Sequence, residues 1–168
     1  MTRTCTLKGN PLDLAGAEVK VGQTAPDATL KKDLATAVKL SELGSNPKIL
    51  SVVPSLDTPV CAEQTKRFNE QAAYLPHVDF ITISCDLPPA QARFCGAESI
   101  NTERIQVLSD HQDLNFGTTY GTLIPHLRIQ CRAVFVIGSD NIIKYAEYVP
   151  EVADHPDYGA ALDCAKAQ

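Results

Sequence analysis

Lys48-Ile49-Leu50-Ser51-Val52-Val53-Pro54-Ser55-Leu56-Asp57-Thr58-Pro59-Val60-Cys61 is the stretch that decides how this chain folds. Its opening run, residues 48–54, is apolar on both faces, as a central strand of a sheet covered on both sides should be. The strand breaks at Pro54. Thr58 suits an N-cap and Pro59 suits the first helical position, so a helix is expected to follow almost at once. Counted from Thr58, Cys61 is the third helical residue, where its own N–H has no intrahelical partner. Free N–H groups and the positive end of the helix dipole favour a thiolate, the nucleophilic form of sulfur.

Working outward from this stretch, Cys61, Thr65, Phe68, Ala72 and Leu75 recur at spacings of three and four and form an inward stripe. Glu63, Arg67 and Glu70 lie on the outer side, with Glu63 and Arg67 spaced for an i,i+4 pair. Residues 79–84 and 133–137 read as further buried strands. Residues 142–149 form a C-terminal hairpin with the latter across the turn at 138–141. Shorter helices are expected over 88–95, 113–120 and 157–166. Residues 4–16 read as an N-terminal β-hairpin turning at Gly9-Asn10-Pro11. Alternating strands and helices, followed by a hairpin and a terminal helix, predict an α/β protein with a mixed central sheet flanked by helices. No linker or internal repeat interrupts residues 1–168, which read as one domain.

Composition narrows the function. The chain has 168 residues and a formal net charge of −5, which argues against nucleic-acid binding. No apolar run approaches a transmembrane span, and residues 1–10 lack the apolar core of a secretory signal, so a cytoplasmic protein is expected. In that reducing compartment Cys5, Cys61, Cys85, Cys95, Cys131 and Cys164 are either small buried residues or reactive ones. No C-x-x-C and no zinc-finger spacing of Cys or His is present, so neither a structural metal nor a thioredoxin-type dithiol is expected. For Cys5, Cys85, Cys131 and Cys164, burial is the favoured reading. Cys131 should point to the opposite side of its strand from Arg132.

Cys61 is different because it lies on the inward stripe at a helix start, which places it at the bottom of a shallow pocket. Burial disfavours the anion, and the helix end returns only about 0.3–1 kcal/mol, or ~2 when partly buried. A cation is therefore needed as well. Arg132, at the head of the strand 133–137, is the candidate, although an arginine at a strand end is usually just solvated. By itself Cys95 would read as a buried helix residue, followed by Gly96 as a helix stop.

Pro54-x-x-x-Thr58-x-x-Cys61 resembles the active-site signature of peroxiredoxins. The whole chain is similar to the bacterial thiol peroxidases, the atypical 2-Cys subfamily. The likeness continues through Ser84-Cys-Asp-Leu-Pro-Pro-Ala-Gln-Ala-Arg-Phe-Cys-Gly-Ala-Glu98, Arg132-Ala-Val-Phe-Val-Ile137 and Asp157-Tyr-Gly-Ala-Ala161. The resemblance implies a thioredoxin-like fold and a peroxidase acting on hydrogen peroxide and organic hydroperoxides without a cofactor. It gives Cys61 the peroxidatic role, Thr58 and Arg132 peroxide binding, Pro54 the shielding of the pocket, and Cys95 the resolving role through an intramolecular disulfide. It also implies recycling by thioredoxin and a homodimer. Gln112 stands where many relatives carry arginine, which removes a second basic group from the expected site. A redox relay that hands Cys61 oxidation to a partner protein would use the same thiolate and is the alternative reading.

Overall fold

The computed structural model of the chain describes residues 2–168. Its chain order is β1 (Arg3–Leu7), β2 (Asn10–Leu14), β3 (Thr29–Lys31), β4 (Ala37–Lys39), β5 (Lys48–Val52), α1 (Pro59–Ala72), β6 (Asp79–Ser84) and α2 (Pro88–Ala97). It continues with β7 (Ile105–Ser109), α3 (Asn115–Tyr120), β8 (Leu123–Ile124), β9 (Ile129–Gln130), β10 (Ala133–Ile137), β11 (Ile143–Tyr148) and α4 (Tyr158–Lys166).

Seven strands form the main sheet in the order β11-β10-β5-β6-β7-β3-β4. The strands β5, β6 and β7 are parallel neighbours, while β10 and β3 run antiparallel to theirs. This is the mixed sheet expected from the sequence. Every residue of β5 and β10 is buried, which is why both read as continuous apolar runs rather than alternating ones.

The two faces carry separate cores. On one face Leu50, Val52, Ile81, Ile83 and Phe135 pack against Phe116 and Tyr120 of α3. On the other, Ile49, Phe80, Val134 and Val136 meet Phe68 and Ala72 of α1, Cys95 of α2, and Ala161 and Ala165 of α4. The expected stripe of α1 is buried throughout, and Arg67 Nε reaches Glu63 Oε1 at 3.0 Å on its outer side.

Three local expectations are corrected. The first hairpin turns at Lys8-Gly9, with φ of 51° and 78°, so Asn10 and Pro11 belong to β2. Two consecutive left-handed residues make the tight turn that matches strand twist. Gly96 does not stop α2; the helix runs to Ala97 and ends at Ser99, a left-handed residue with φ of 54°. The N–H of Ile100 closes back on the Cys95 carbonyl at 2.9 Å, the bond pattern that ends a helix without glycine's freedom. The third helix starts at Asn115 rather than at 113, after Leu114 in the left-handed region.

Candidate active site

Four segments converge at the end of β5. Thr58 takes the N-cap of α1 with φ of −102° and ψ of 147°, and Pro59 opens the helix, as the sequence predicts. The bond from Ala62 N to Thr58 O, 3.0 Å, closes the first turn. Thr58 caps with its backbone only. Its hydroxyl lies 2.8 Å from the Ser55 carbonyl and 2.6 Å from Cys61 Sγ. One hydroxyl hydrogen serves both contacts in turn. With Cys61 as thiol, S–H donates to Oγ1 and the hydroxyl donates to Ser55; with Cys61 as thiolate, the hydroxyl turns to the sulfur.

Arg132 is 2% exposed and its guanidinium is fully engaged. Nε donates to the Val152 carbonyl at 2.8 Å, Nη1 to Gln64 Oε1 at 2.9 Å and Nη2 to Cys61 Sγ at 3.4 Å. Among the described residues no carboxylate pairs with it. A buried cation without an anion costs several kcal/mol, on the order of the penalty for breaking a buried ion pair. Of the three groups it contacts, only the Cys61 sulfur can carry a negative charge.

Gln64 completes this arrangement and lies outside the residues singled out from the sequence. Its Nε2 donates to Ser51 Oγ on β5 at 2.8 Å, which leaves Oε1 facing Arg132. The available signal was a polar residue three positions after Cys61, on a helix face that turns out to be fully buried. Pro54 is buried one residue beyond Val53, whose N–H still pairs with β6 through the Ile83 carbonyl.

Cys61 has no exposed surface, so the shallow-pocket expectation needs correction. A cleft of about 440 Å³ opens between the start of α1 and α2, lined by Leu56, Thr58, Pro59, Arg93, Phe94 and Ala97 among others. The sulfur lies behind its wall, packed with Val53 and Leu56 against Phe94 and Val107. Small motions of the 55–58 loop or of Phe94 are what stand between it and solvent.

Cys95 is 6% exposed and belongs to a different apolar cluster, with Phe68, Ile100 and Ile105. It borders a second cleft between α2 and β7. Both sulfurs are free thiols. Burial pushes the Cys95 thiol up, and likewise those of Cys5 and Cys164; Cys85 and Cys131 are each pushed up to about 12. Cys131 packs with Cys5 and Leu14, while Arg132 turns to Cys61; both residues lie between β9 and β10 rather than within a strand. Cys85, half-buried, accepts from Gln130 Nε2 at 3.3 Å and is held as a neutral thiol.

A cysteine at a helix start, in contact with a buried guanidinium on a mixed sheet, is the site to set beside the proteins this chain is similar to. The Redoxin family model matches residues 20–162. The chain is 48% identical over 162 residues to a thiol peroxidase of Halalkalibacterium halodurans, 96% of each being covered. It is 47% identical over 162 residues to one of Bacillus subtilis, again covering 96% of each. Among solved structures, a peroxiredoxin-like protein from Aquifex aeolicus matches with a TM-score of 0.89 at 40% identity, covering 99% of this chain and 98% of that one. The chain therefore belongs to the Redoxin family and carries its thioredoxin-like fold. Within that family it stands with the thiol peroxidases, as a thiol-dependent enzyme of the peroxiredoxin type.

Proposed function

We propose that residues 1–168 act as one domain that reduces hydrogen peroxide and organic hydroperoxides through Cys61, with Cys95 as resolving residue and thioredoxin as reductant. The observation that carries this reading is the 3.4 Å contact between Arg132 and Cys61 Sγ, a buried cation whose available counter-ion is a thiolate. The Cys61 thiolate attacks one oxygen of ROOH; an S–O bond forms, the O–O bond breaks, and the departing alkoxide takes a proton to leave as ROH. The Arg132 guanidinium and the Thr58 hydroxyl stand beside the sulfur, where charge develops on the O–O unit. Pro54 closes the pocket against water, which would solvate the thiolate and blunt it.

Cys61 is then a sulfenic acid. The Cys95 sulfur displaces its hydroxyl, forming the disulfide and releasing water, and a thioredoxin dithiol reduces that disulfide by exchange. The burial of the two sulfurs in separate apolar clusters supports a cycle in which α2 opens before the disulfide forms. Turnover of this kind fits curated relatives named thiol peroxidases better than a one-way relay to a partner protein. A homodimer and a cytoplasmic site complete the reading; among the described residues no helix is long and apolar enough to cross a membrane.

Hydroperoxide consumption with thioredoxin, its reductase and NADPH tests this. Wild type should turn over, Cys61→Ser should lose all activity, and Cys95→Ser should reduce peroxide once and then stall. Turnover that survives Cys61→Ser sinks the mechanism.

A further inference from the structure

Asp86 stands in the turn between β6 and α2, and its carboxylate reaches across the fold to the loop that carries the reactive sulfur. Oδ1 accepts from Ser55 Oγ at 2.8 Å and Oδ2 from the Leu56 N–H at 2.8 Å. Oδ2 also accepts from Ser84 Oγ at 2.7 Å. Ser84 Oγ in turn accepts from Gln91 Nε2 at 3.0 Å, and the same amide donates to the Leu108 carbonyl at 3.0 Å. Gln91 sits one helical turn before Cys95, on the same buried face of α2. A continuous set of hydrogen bonds thus runs from the Cys61 loop, through Asp86 and Ser84, to the helix bearing Cys95.

A further side-chain bond to this turn, from Ser109 Oγ to the Asp86 carbonyl at 2.5 Å, ties it to β7 and not to the Cys61 loop. Leu87 is the N-cap and makes no side-chain bond, and Pro88 and Pro89 have no N–H to offer. The ion pairs that bridge the same two elements, Lys66 with Glu98 and Arg93 with Asp57, are exposed and contribute little.

We propose that Asp86 is a positioning residue that locks the peroxide-reactive arrangement and sets how readily α2 opens for disulfide formation. The proposal rests on the peroxidase reading above. Asp86 makes its bonds to Ser55 and Leu56 only while that loop lies against the turn leading into α2, and Ser84 and Gln91 carry the link on to α2 itself, so it favours the packed state over an open one by the free energy of those bonds. Hydrogen bonds to a carboxylate are strong enough that losing them shifts such a balance by about tenfold or more. The chemistry downstream is unchanged: Cys61 sulfenic acid and the Cys95 thiol still combine to a disulfide and water.

The test compares wild type with Asp86→Asn and Ser55→Ala. In the reduced proteins, alkylation of Cys95 by iodoacetamide is followed by peptide mass analysis, with Cys131 as the internal marker of global unfolding. Asp86→Asn should raise Cys95 alkylation about tenfold and Ser55→Ala about threefold, with Cys131 unchanged. After a single dose of hydroperoxide, quench-flow should show the sulfenic acid of Asp86→Asn converting to disulfide about tenfold faster, while the initial oxidation of Cys61 is no faster than in wild type. Cys95 alkylation unchanged in Asp86→Asn, or rising only together with that of Cys131, overturns the role of Asp86. Absence of a peroxide-driven Cys61–Cys95 disulfide in wild type would instead overturn the functional reading, and the alkylation comparison would still decide Asp86.

Discussion

At Arg132 a charge is buried without a carboxylate, and the sulfur of Cys61 is the group left to answer it. Gln64→Glu tests that directly, because it offers Arg132 a carboxylate in the same volume. The protein should hold its melting temperature, while alkylation and peroxide oxidation of Cys61 slow about tenfold as the guanidinium turns to its new partner. Arg132→Lys keeps the charge but cannot serve Val152, Gln64 and Cys61 from one planar fork. Its peroxide oxidation rate should fall about 100-fold, from loss of charged hydrogen bonds of about 1.5–3 kcal/mol each. Cys85→Ser, by contrast, should leave turnover within about twofold, since burial keeps that thiol protonated at neutral pH. Thr58 and Cys61 stood out in the sequence as a helix start, whereas Arg132 stood out only through the family resemblance, because an arginine at a strand end reads by itself as solvated. Gln64 did not: a glutamine on an amphipathic helix reads as solvent-facing unless the partner it meets, Arg132, 68 residues further along the chain, is already known.

Among the elements, α2 shows most clearly how local sequence sets dynamics. Ser99 ends it in a conformation that glycine adopts freely and serine does not. Ser99→Gly should stabilise the end of α2 by about 0.5–1 kcal/mol, net of the looser unfolded chain, and slow disulfide formation by about two- to fivefold. Quench-flow on the sulfenic acid reads this out. The first hairpin is tied down by Glu151, which accepts from the N–H of Gly9, the hydroxyl of Thr6 and the N–H of Lys8. Those bonds hold its carboxyl down at about 2, from an ordinary 4.5. The stability it contributes is therefore complete above pH 4.5 and is lost as pH falls towards 2. Acid titration followed by the Gly9 amide signal should show the hairpin loosening across that window, and Glu151→Gln should remove the dependence. The long buried strands were legible from their apolar runs, to the residue for β6 and β10. The strands β3, β4 and β7 were not. Three residues are too few to show a period, and in β7 Gln106 interrupts a five-residue run that parallel pairing with β6 makes a strand.

For the whole molecule, the mixed sheet sorts the sulfurs of Cys61 and Cys95 into different apolar clusters of one protein. The fold class was legible because strand and helix alternated with clear buried runs. The distance between Cys61 and Cys95 was not, because it depends on how α1 and α2 lie across the sheet. Their separation has a consequence for damage. In the proposed cycle the sulfenic acid waits for α2 to open, so excess hydroperoxide should push Cys61 on to sulfinic acid in competition with resolution. Cys95→Ser should make that overoxidation dominant, as mass analysis at rising peroxide will show. The most direct test of the account treats fully reduced protein with equimolar hydroperoxide and maps the disulfide by digestion at acidic pH. Cys61 joined to Cys95 within one chain is the expected product. A bond that involves Cys85 or Cys131 instead, or oxidation that persists in Cys61→Ser, would contradict it.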